Sequence, residues 1–187
     1  MADGANLAAS NNPLVDLNDI ASVNVNLVSN TAIDESEFNN VAAVNITNGI
    51  AGTTLTVNNA TLSTVYGATV AGRNYTETVS YAGTTGSADV AALSVANTGN
   101  STTDTTFNVA TGNTIEAVTL ATSGTNYVTV NGGTAAAKYT LTGNGTNDLT
   151  VGSAASTMTI DASATTGTNI INVGTLLSTT DSVIGGS

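Results

Sequence analysis

The chain has 187 residues, 41% of them hydrophobic and 4% aromatic, so it can form one ordinary domain with a core of small aliphatic side chains. Its formal net charge is −11, because only Arg73 and Lys138 oppose 13 carboxylates, and this balance excludes nucleic-acid binding, which needs clustered Lys and Arg. The sequence has neither Cys nor His, which excludes disulfides, thiol catalysis, the Ser-His-Asp triad and zinc sites built on those residues.

Most of the carboxylates have no cationic side chain to pair with. Water, backbone N–H groups or dissolved cations must therefore balance them, and oxygen ligands of this kind suit calcium. Two interpretations of the charge stay open, namely simple solubility and calcium dependence. We do not expect an enzyme, because paired carboxylates are the only catalytic candidates and nothing around them indicates hydrolysis.

Residues 1–20 are small and polar, and Asn11-Asn12-Pro13 marks a loop. We predict a flexible N-terminal arm here, which could add a strand to a neighbouring subunit. The first residues have neither the basic nor the apolar part of a cleavable signal peptide. Since no apolar run approaches the ~20 residues that span a bilayer, we expect no membrane insertion.

Residues 21–187 are predicted to form an all-β body. Apolar and polar residues alternate cleanly in 22–28, which predicts the first strand. The acidic segment Asp34-Glu35-Ser36-Glu37 follows, and it is interpreted either as a solvated loop or as a cation site.

Alternation becomes regular from Asn40 onward. Six segments are predicted strands separated by turn residues: 41–46, 54–57, 61–66, 74–81, 90–95 and 107–109. The segment 40–46 also aligns with 114–120. This match predicts two related units, 38–111 and 112–187, although coincidence in a chain rich in Val, Thr and Asn is the alternative.

Apolar-Thr-apolar triplets recur in the last part of the chain. They begin at Val118, Val128, Tyr139, Leu149 and Met158, so their spacing is roughly 9–12 residues. Short strands at such regular spacing predict a β-solenoid or β-helix-like stack. A β-sandwich is the alternative, especially for residues 38–110.

Candidate calcium ligands are the side chains with hard oxygens near turns. The segment Gly143–Leu149 offers Asn147 and Asp148 after a glycine-rich bend, and an Asn-Gly turn between strands is its alternative interpretation. Asp161 follows a triplet and either caps a turn or binds calcium. The complete set of predicted ligands is Asp34, Glu35, Glu37, Asn147, Asp148, Asp161 and Asp181.

Thr-x-Thr pairs recur along the chain, at residues 54/56, 76/78, 140/142 and 157/159. A flat solenoid face of stacked Thr pairs could order water and bind ice. Their spacing in the sequence is not constant, which speaks against such a face.

Three phrases near the C-terminus carry a family resemblance: Ile115–Leu120, Thr159–Ser163 followed by Thr166-Gly167, and Asp181–Ser187. They resemble the I-E-x-V-x-L, x-I-D-A-S-x-x-T-G and D-x-I-x-G-G-x phrases of bacterial surface-layer (S-layer) and RTX-type, type I secreted, adhesin-like proteins. Gly185-Gly186-Ser187 looks like the opening of a G-G-x-G-x-D-x-U-x calcium repeat. Gly143-Asn144-Gly145 looks like a degenerate turn of the same kind.

The resemblance, the charge and the strand pattern together lead to an expected function. We expect an extracellular structural protein that self-assembles as a homo-oligomer into a cell-surface layer or filament, assisted by calcium. Cell-surface polysaccharide is a further candidate partner. The alternative is a ligand-binding domain, for ice or glycan, of a large RTX adhesin.

Overall fold

The computed structural model describes residues 17–18, 21–109 and 114–186. Within these ranges the chain is almost entirely β, and its helical segments are two 3-10 turns, Glu35–Glu37 and Gly174–Leu176. The all-β prediction is confirmed. Most of the predicted N-terminal arm lies outside the described residues. In the described part of the chain, no helix is long and apolar enough to span a membrane.

Seventeen strands follow one another along the described chain. They are β1 (Leu17–Asn18), β2 (Ser22–Leu27), β3 (Thr31–Asp34), β4 (Phe38–Asn39), β5 (Ala43–Gly49), β6 (Thr54–Ala60), β7 (Val65–Ala68), β8 (Thr76–Tyr81), β9 (Val90–Ala96), β10 (Thr105–Asn108), β11 (Ala117–Ser123), β12 (Thr125–Asn131), β13 (Lys138–Gly143), β14 (Thr146–Ser153), β15 (Thr159–Thr165), β16 (Asn169–Asn172) and β17 (Ser182–Ile184).

The strands form two long parallel sheets. One has eight strands in the order β2-β5-β7-β9-β11-β13-β15-β17, and the other has seven in the order β3-β6-β8-β10-β12-β14-β16. The chain alternates between the sheets, so two successive strands and their corners make one coil, and about seven coils stack. This is a β-solenoid, as predicted, and not the alternative β-sandwich. The short strands β1 and β4 pair in parallel as a separate two-stranded sheet.

Coil length varies while the pairing register holds. In the eight-stranded sheet Val23 pairs with Val44, Val44 with Tyr66, and Tyr66 with Leu93, and the last of these steps takes the longest stretch of chain. The longer coil places its extra residues in the corner between β8 and β9. The two segments that align in the sequence, 40–46 and 114–120, fall on β5 and β11 of this sheet, but the boundary near 111 lies outside the described residues. The division into two units stays a prediction.

Residues 61–66, predicted as one strand, are an exception. The chain turns through Thr61–Thr64, and β7 begins only at Val65. The Thr64 hydroxyl donates to the Val41 carbonyl at 2.8 Å and to the buried Glu35 carboxylate at 2.5 Å. These hydrogen bonds stabilise a turn that the alternation of Thr and apolar residues did not reveal.

The core is the narrow space between the two sheets. Alternate residues of each strand point into it, and they are mostly Val, Leu and Ile, as the composition predicts. Leu93 in the middle of β9 is almost fully buried, between Tyr66 and Leu120 of the neighbouring coils. Burial of such stacked side chains is the main stabilising contribution to a solenoid.

Truncating Leu93 to Ala should lower the free energy of unfolding by about 2–5 kcal/mol, because the packed column cannot collapse into the cavity. Val90→Ala in the same strand is the control, since Val90 is 40% exposed and its truncation should change stability by less than about 0.5 kcal/mol. Urea unfolding followed by circular dichroism measures both. Equal losses in the two variants would contradict the assigned register.

Candidate functional site: acidic residues, the threonine face and the open end

The predicted acidic site consists of three residues that lie in different environments: Asp34, Glu35 and Glu37. The Asp34 carboxylate accepts hydrogen bonds from the Ser36 backbone N–H at 3.0 Å and the Ser36 hydroxyl at 2.7 Å, and so caps the 3-10 turn. Both Asp34 oxygens accept from the Asn59 amide at 2.9 Å. The side-chain hydrogen bonds from Ser36 and then Asn59 lower the pKa of Asp34 below its ordinary value. Glu37 is exposed to solvent.

Glu35 turns into the core instead. It is 4% exposed, and one carboxylate oxygen accepts hydrogen bonds from the hydroxyls of Thr61 at 3.0 Å and Thr64 at 2.5 Å. The other oxygen accepts from the Tyr66 hydroxyl. Burial, followed by this contact with Glu35, raises the pKa of Tyr66. Glu35 therefore holds the corner before β7 together from inside.

Asn147 lies buried in the middle of an asparagine ladder. The register stacks Asn126, Asn147 and Asn169 of successive coils. The Asn126 amide donates to the Asn147 side-chain oxygen at 3.0 Å, and the Asn147 amide donates to the Asn169 oxygen at 2.8 Å. The Asn147 amide also donates to the Gly145 carbonyl at 3.0 Å and the Thr122 hydroxyl at 3.2 Å. These contacts satisfy buried polar groups at the corner between the sheets.

The segment 143–149 contains an Asn-Gly turn between strands, which was the alternative interpretation to a calcium site. Strand β13 ends at Gly143, whose φ is +98°, and β14 begins at Thr146. A Cβ on Gly143 would approach the Thr122 carbonyl oxygen to 2.2 Å, so a side chain there would clash with the coil below. Asp148 lies half-buried on the outer side of β14, in register with Tyr127 and Ile170.

Asp161 and Asp181 both accept backbone hydrogen bonds. The Asp161 carboxylate accepts from the Ser163 hydroxyl at 2.6 Å and its N–H at 3.0 Å, which is the turn-capping role considered from the sequence. The Asp181 carboxylate accepts from the N–H groups of Met158 at 2.7 Å and Ser178 at 2.6 Å. The pKa of each is lowered, chiefly by the Ser163 hydroxyl for Asp161 and by the Met158 N–H for Asp181.

The seven predicted ligands thus occupy separate places in the solenoid. Within the described ranges, no group of three or more acidic residues converges as a metal site would require. Asp148 lies on the seven-stranded sheet and Asp161 on the eight-stranded sheet. Calcium binding by these residues stays a prediction.

Glu77 is a buried acid that the sequence analysis did not single out. It points into the core from β8, in register with Leu55 and Phe107, and it is fully buried. Neither carboxylate oxygen has a hydrogen-bond partner, and the same holds for the buried hydroxyls of Tyr75 and Tyr81. Burial raises the pKa of Glu77 well above its ordinary value of 4.5. In the sequence, Glu77 alternates with Tyr75 and Val79, and this pattern could have indicated that Glu77 points into the core.

The outer side of the seven-stranded sheet is what we call the threonine face. Its first column stacks one threonine from each of five coils, and its second column lies two residues further along the same strands. The first column is Thr54, Thr76, Thr106, Thr129 and Thr150. The second column is Thr56, Thr78, Asn108 and Asn131.

The two ends of the solenoid differ. The inward-pointing Val23, Val25, Leu27 and Ile33 of the first coil are buried. The last coil forms what we call the open end, where four large apolar side chains are between 44% and 60% exposed. They are Ile170, Leu177, Val183 and Ile184. In the part of the chain that is described, β16 and β17 have no strand on their outer edges, and neither do β2 and β3 at the other end.

No protein-family model, curated protein or solved structure matches this chain in comparisons with known proteins. The resemblance to S-layer and RTX-type proteins therefore stays a prediction, and the function must be inferred from the solenoid itself.

Replacing Glu77 by Leu should stabilise the protein in a pH-dependent way. Above about pH 4.5 the unfolded chain releases a proton that the folded chain retains, so stability falls by about 1.4 kcal/mol per pH unit until the raised pKa is reached. The variant should gain most at pH 8 and little at pH 4 in urea unfolding. Glu37→Gln, which removes an exposed carboxylate, is the control. A gain that is equal at both pH values would contradict a neutral buried acid.

Replacing Asn147 by Ala should lower the free energy of unfolding by about 1–3 kcal/mol, because Asn126 and Asn169 lose a buried partner. Asn144→Ala, at the exposed turn of the same corner, should change it by less than about 0.5 kcal/mol. Chemical denaturation of both variants makes the comparison, and similar values for the two would argue against the ladder.

Proposed function

We propose that the protein is an extracellular structural protein whose copies associate through the open end and build a cell-surface layer or filament with the help of calcium. The observation that carries the proposal is the open end, where no described strand pairs with the outer edges of β16 and β17 and the apolar side chains around them are exposed. Unpaired strand edges of this kind favour pairing with another chain.

The open end also carries little charge that would repel a second copy. Residues 162–186 contain a single ionisable side chain, Asp181, whereas the whole chain has a net charge of −11. The Asp181 carboxylate is already engaged by two backbone N–H groups. Apolar contact can therefore form here with little opposing charge.

The occupant that best fits the open end is the open end of a second copy. The edges of β2 and β3 on the first coil are also unpaired among the described residues, but Val23, Val25 and Leu27 there are buried, so the first coil exposes less apolar surface. A two-fold contact would set β17 against β17 of the second copy, and Val183 and Ile184 of both would then be covered. Such a contact is self-complementary and closed, so by itself it yields a dimer.

A layer or filament needs a second contact, and calcium supplies it in this proposal. Asp148 and Asp161 lie on the outer sides of the two sheets, and Glu37 is exposed at a corner. Their separation within one copy supports bridging between copies, where a calcium ion takes carboxylate oxygens from two molecules. The ion would also reduce the repulsion between acidic dimers.

Light scattering after size-exclusion chromatography, followed by electron microscopy, tests the proposal in EDTA, in millimolar calcium and in millimolar magnesium. We expect dimers in EDTA and larger ordered assemblies in calcium alone. Val183→Asp should give monomers, while Val90→Asp, on an exposed position of the same sheet, should still dimerise.

Asp148→Asn should retain the dimer and weaken only the calcium-dependent assembly. A wild-type monomer under all conditions would overturn the proposal, and assembly that is equal in EDTA and calcium would remove calcium from it. Circular dichroism checks that each variant keeps its β structure.

A further inference from the structure

The threonine face forms a regular two-dimensional grid, although its residues are unevenly spaced in the sequence. Thr54, Thr76, Thr106, Thr129 and Thr150 each pair directly with the next, even though the chain between Thr76 and Thr106 is longer than the other intervals. The corners absorb the difference in length. The uneven spacing of the Thr-x-Thr pairs in the sequence was an argument against a flat threonine face. It does not affect the spacing of the threonines on the folded surface.

The two spacings of the grid are set by the backbone. Neighbouring parallel strands lie ~4.8 Å apart, and residues i and i+2 of one strand are ~6.6 Å apart. Along one direction of a prism face of hexagonal ice, oxygen atoms repeat at a distance close to the strand spacing, and in the perpendicular direction their repeat is somewhat longer than the i to i+2 distance. Threonine side chains are stiff about χ1 and stack on one another here, so their methyl and hydroxyl groups keep this spacing.

Most hydroxyls of the first column are available to water. Within the described residues, the side chains of Thr54, Thr76, Thr106 and Thr150 make no hydrogen bond to protein, while Thr129 donates to Asp104 at 2.7 Å. The second column is ordered by its own contacts, since the Asn131 amide donates to the Asn108 oxygen at 2.7 Å. Neither column contains an ionisable side chain, and the carboxylates beside the first column are Asp104, which accepts from Thr129, and Asp148, two residues before Thr150 on β14.

The eight-stranded sheet offers no equivalent surface. The outer column equivalent to the first column stacks Val65, Ala92, Thr119, Thr140 and Asp161. It mixes apolar, polar and charged side chains, and Lys138 lies beside it on β13. Two of the Thr-x-Thr pairs found in the sequence, 140/142 and 157/159, also fall on this side of the molecule or at its corners.

We propose that the threonine face binds ice, with the first column and its hydration water matching the lattice along the solenoid axis. A glycan is less well served, because stacking of sugar rings needs aromatic platforms, and Tyr127 beside Thr129 is the one aromatic side chain that the described strands place next to the first column. The ligand is the surface of crystalline water, held by an array of hydroxyl and methyl groups over five coils. This activity does not depend on assembly through the open end.

Ice-affinity partitioning and ice-recrystallisation assays on the full chain test the proposal. The wild type should partition into a slowly grown ice front at least tenfold more than the Thr106→Tyr variant, because a bulky ring at the centre of the column prevents lattice contact. Thr119→Tyr, the matched change on the opposite sheet, should behave like the wild type. Circular dichroism and thermal unfolding verify that both variants fold.

Two results would overturn the proposal. One is a wild type that is excluded from ice as an inert globular protein is; the other is an equal loss for Thr106→Tyr and Thr119→Tyr. Retention on an insoluble polysaccharide that only Thr106→Tyr abolishes, without partition into ice, would assign the face to a glycan instead. Running the assays on Val183→Asp, the proposed monomer, separates ice binding from assembly.

Discussion

Parallel, in-register stacking of strands is the constraint on which the rest of this structure depends. Each coil hydrogen-bonds to the coils on either side through both of its sheets, so a residue type chosen for one coil meets its equivalents directly above and below. The leucine and valine columns of the core, the ladder of Asn126, Asn147 and Asn169, and the threonine face are three results of this one rule. Side chains that pack against, or hydrogen-bond to, the same residue type in the neighbouring coils are therefore favoured at every position.

The carboxylates show how a highly acidic chain fits this scheme with only two cationic side chains. Asp34, Asp161 and Asp181 take hydrogen bonds from nearby backbone and hydroxyl groups, and Glu35 takes three hydroxyls inside the core. Glu77 is buried without a hydrogen-bond partner, and burial raises its pKa. Local hydrogen-bond donors thus take the place of the ion pairs that most globular proteins would use.

The sequence predicted the local structure well and the pairing poorly, for a physical reason. Alternation in segments such as 54–57 and 118–120 is visible within the segment, so these strands and the all-β class could be predicted. The solenoid followed from the short, regular spacing of the triplets.

Pairing partners were not visible, because the corners differ in length and the stretch of chain between one strand and its neighbour is not constant. The step from Leu120 to its partner Leu141 is short, whereas the step from Thr76 to its partner Thr106 is long. The threonine face and the asparagine ladder exist only once that register is known. For the same reason, Asn147 looked like a metal ligand in its own loop, whereas its amide contacts residues of the coils on either side.

The stacking direction also determines how the molecule would respond to mechanical force. The first and last coils lie at opposite ends of the solenoid, so tension between them pulls along the axis and detaches one coil at a time, starting from an end. A coil of roughly 20 residues contributes only ~4.8 Å to the height of the stack but releases about 70 Å of extended chain when it detaches. A solenoid held at both ends would therefore lengthen gradually under load, coil by coil, and would not unfold in a single step.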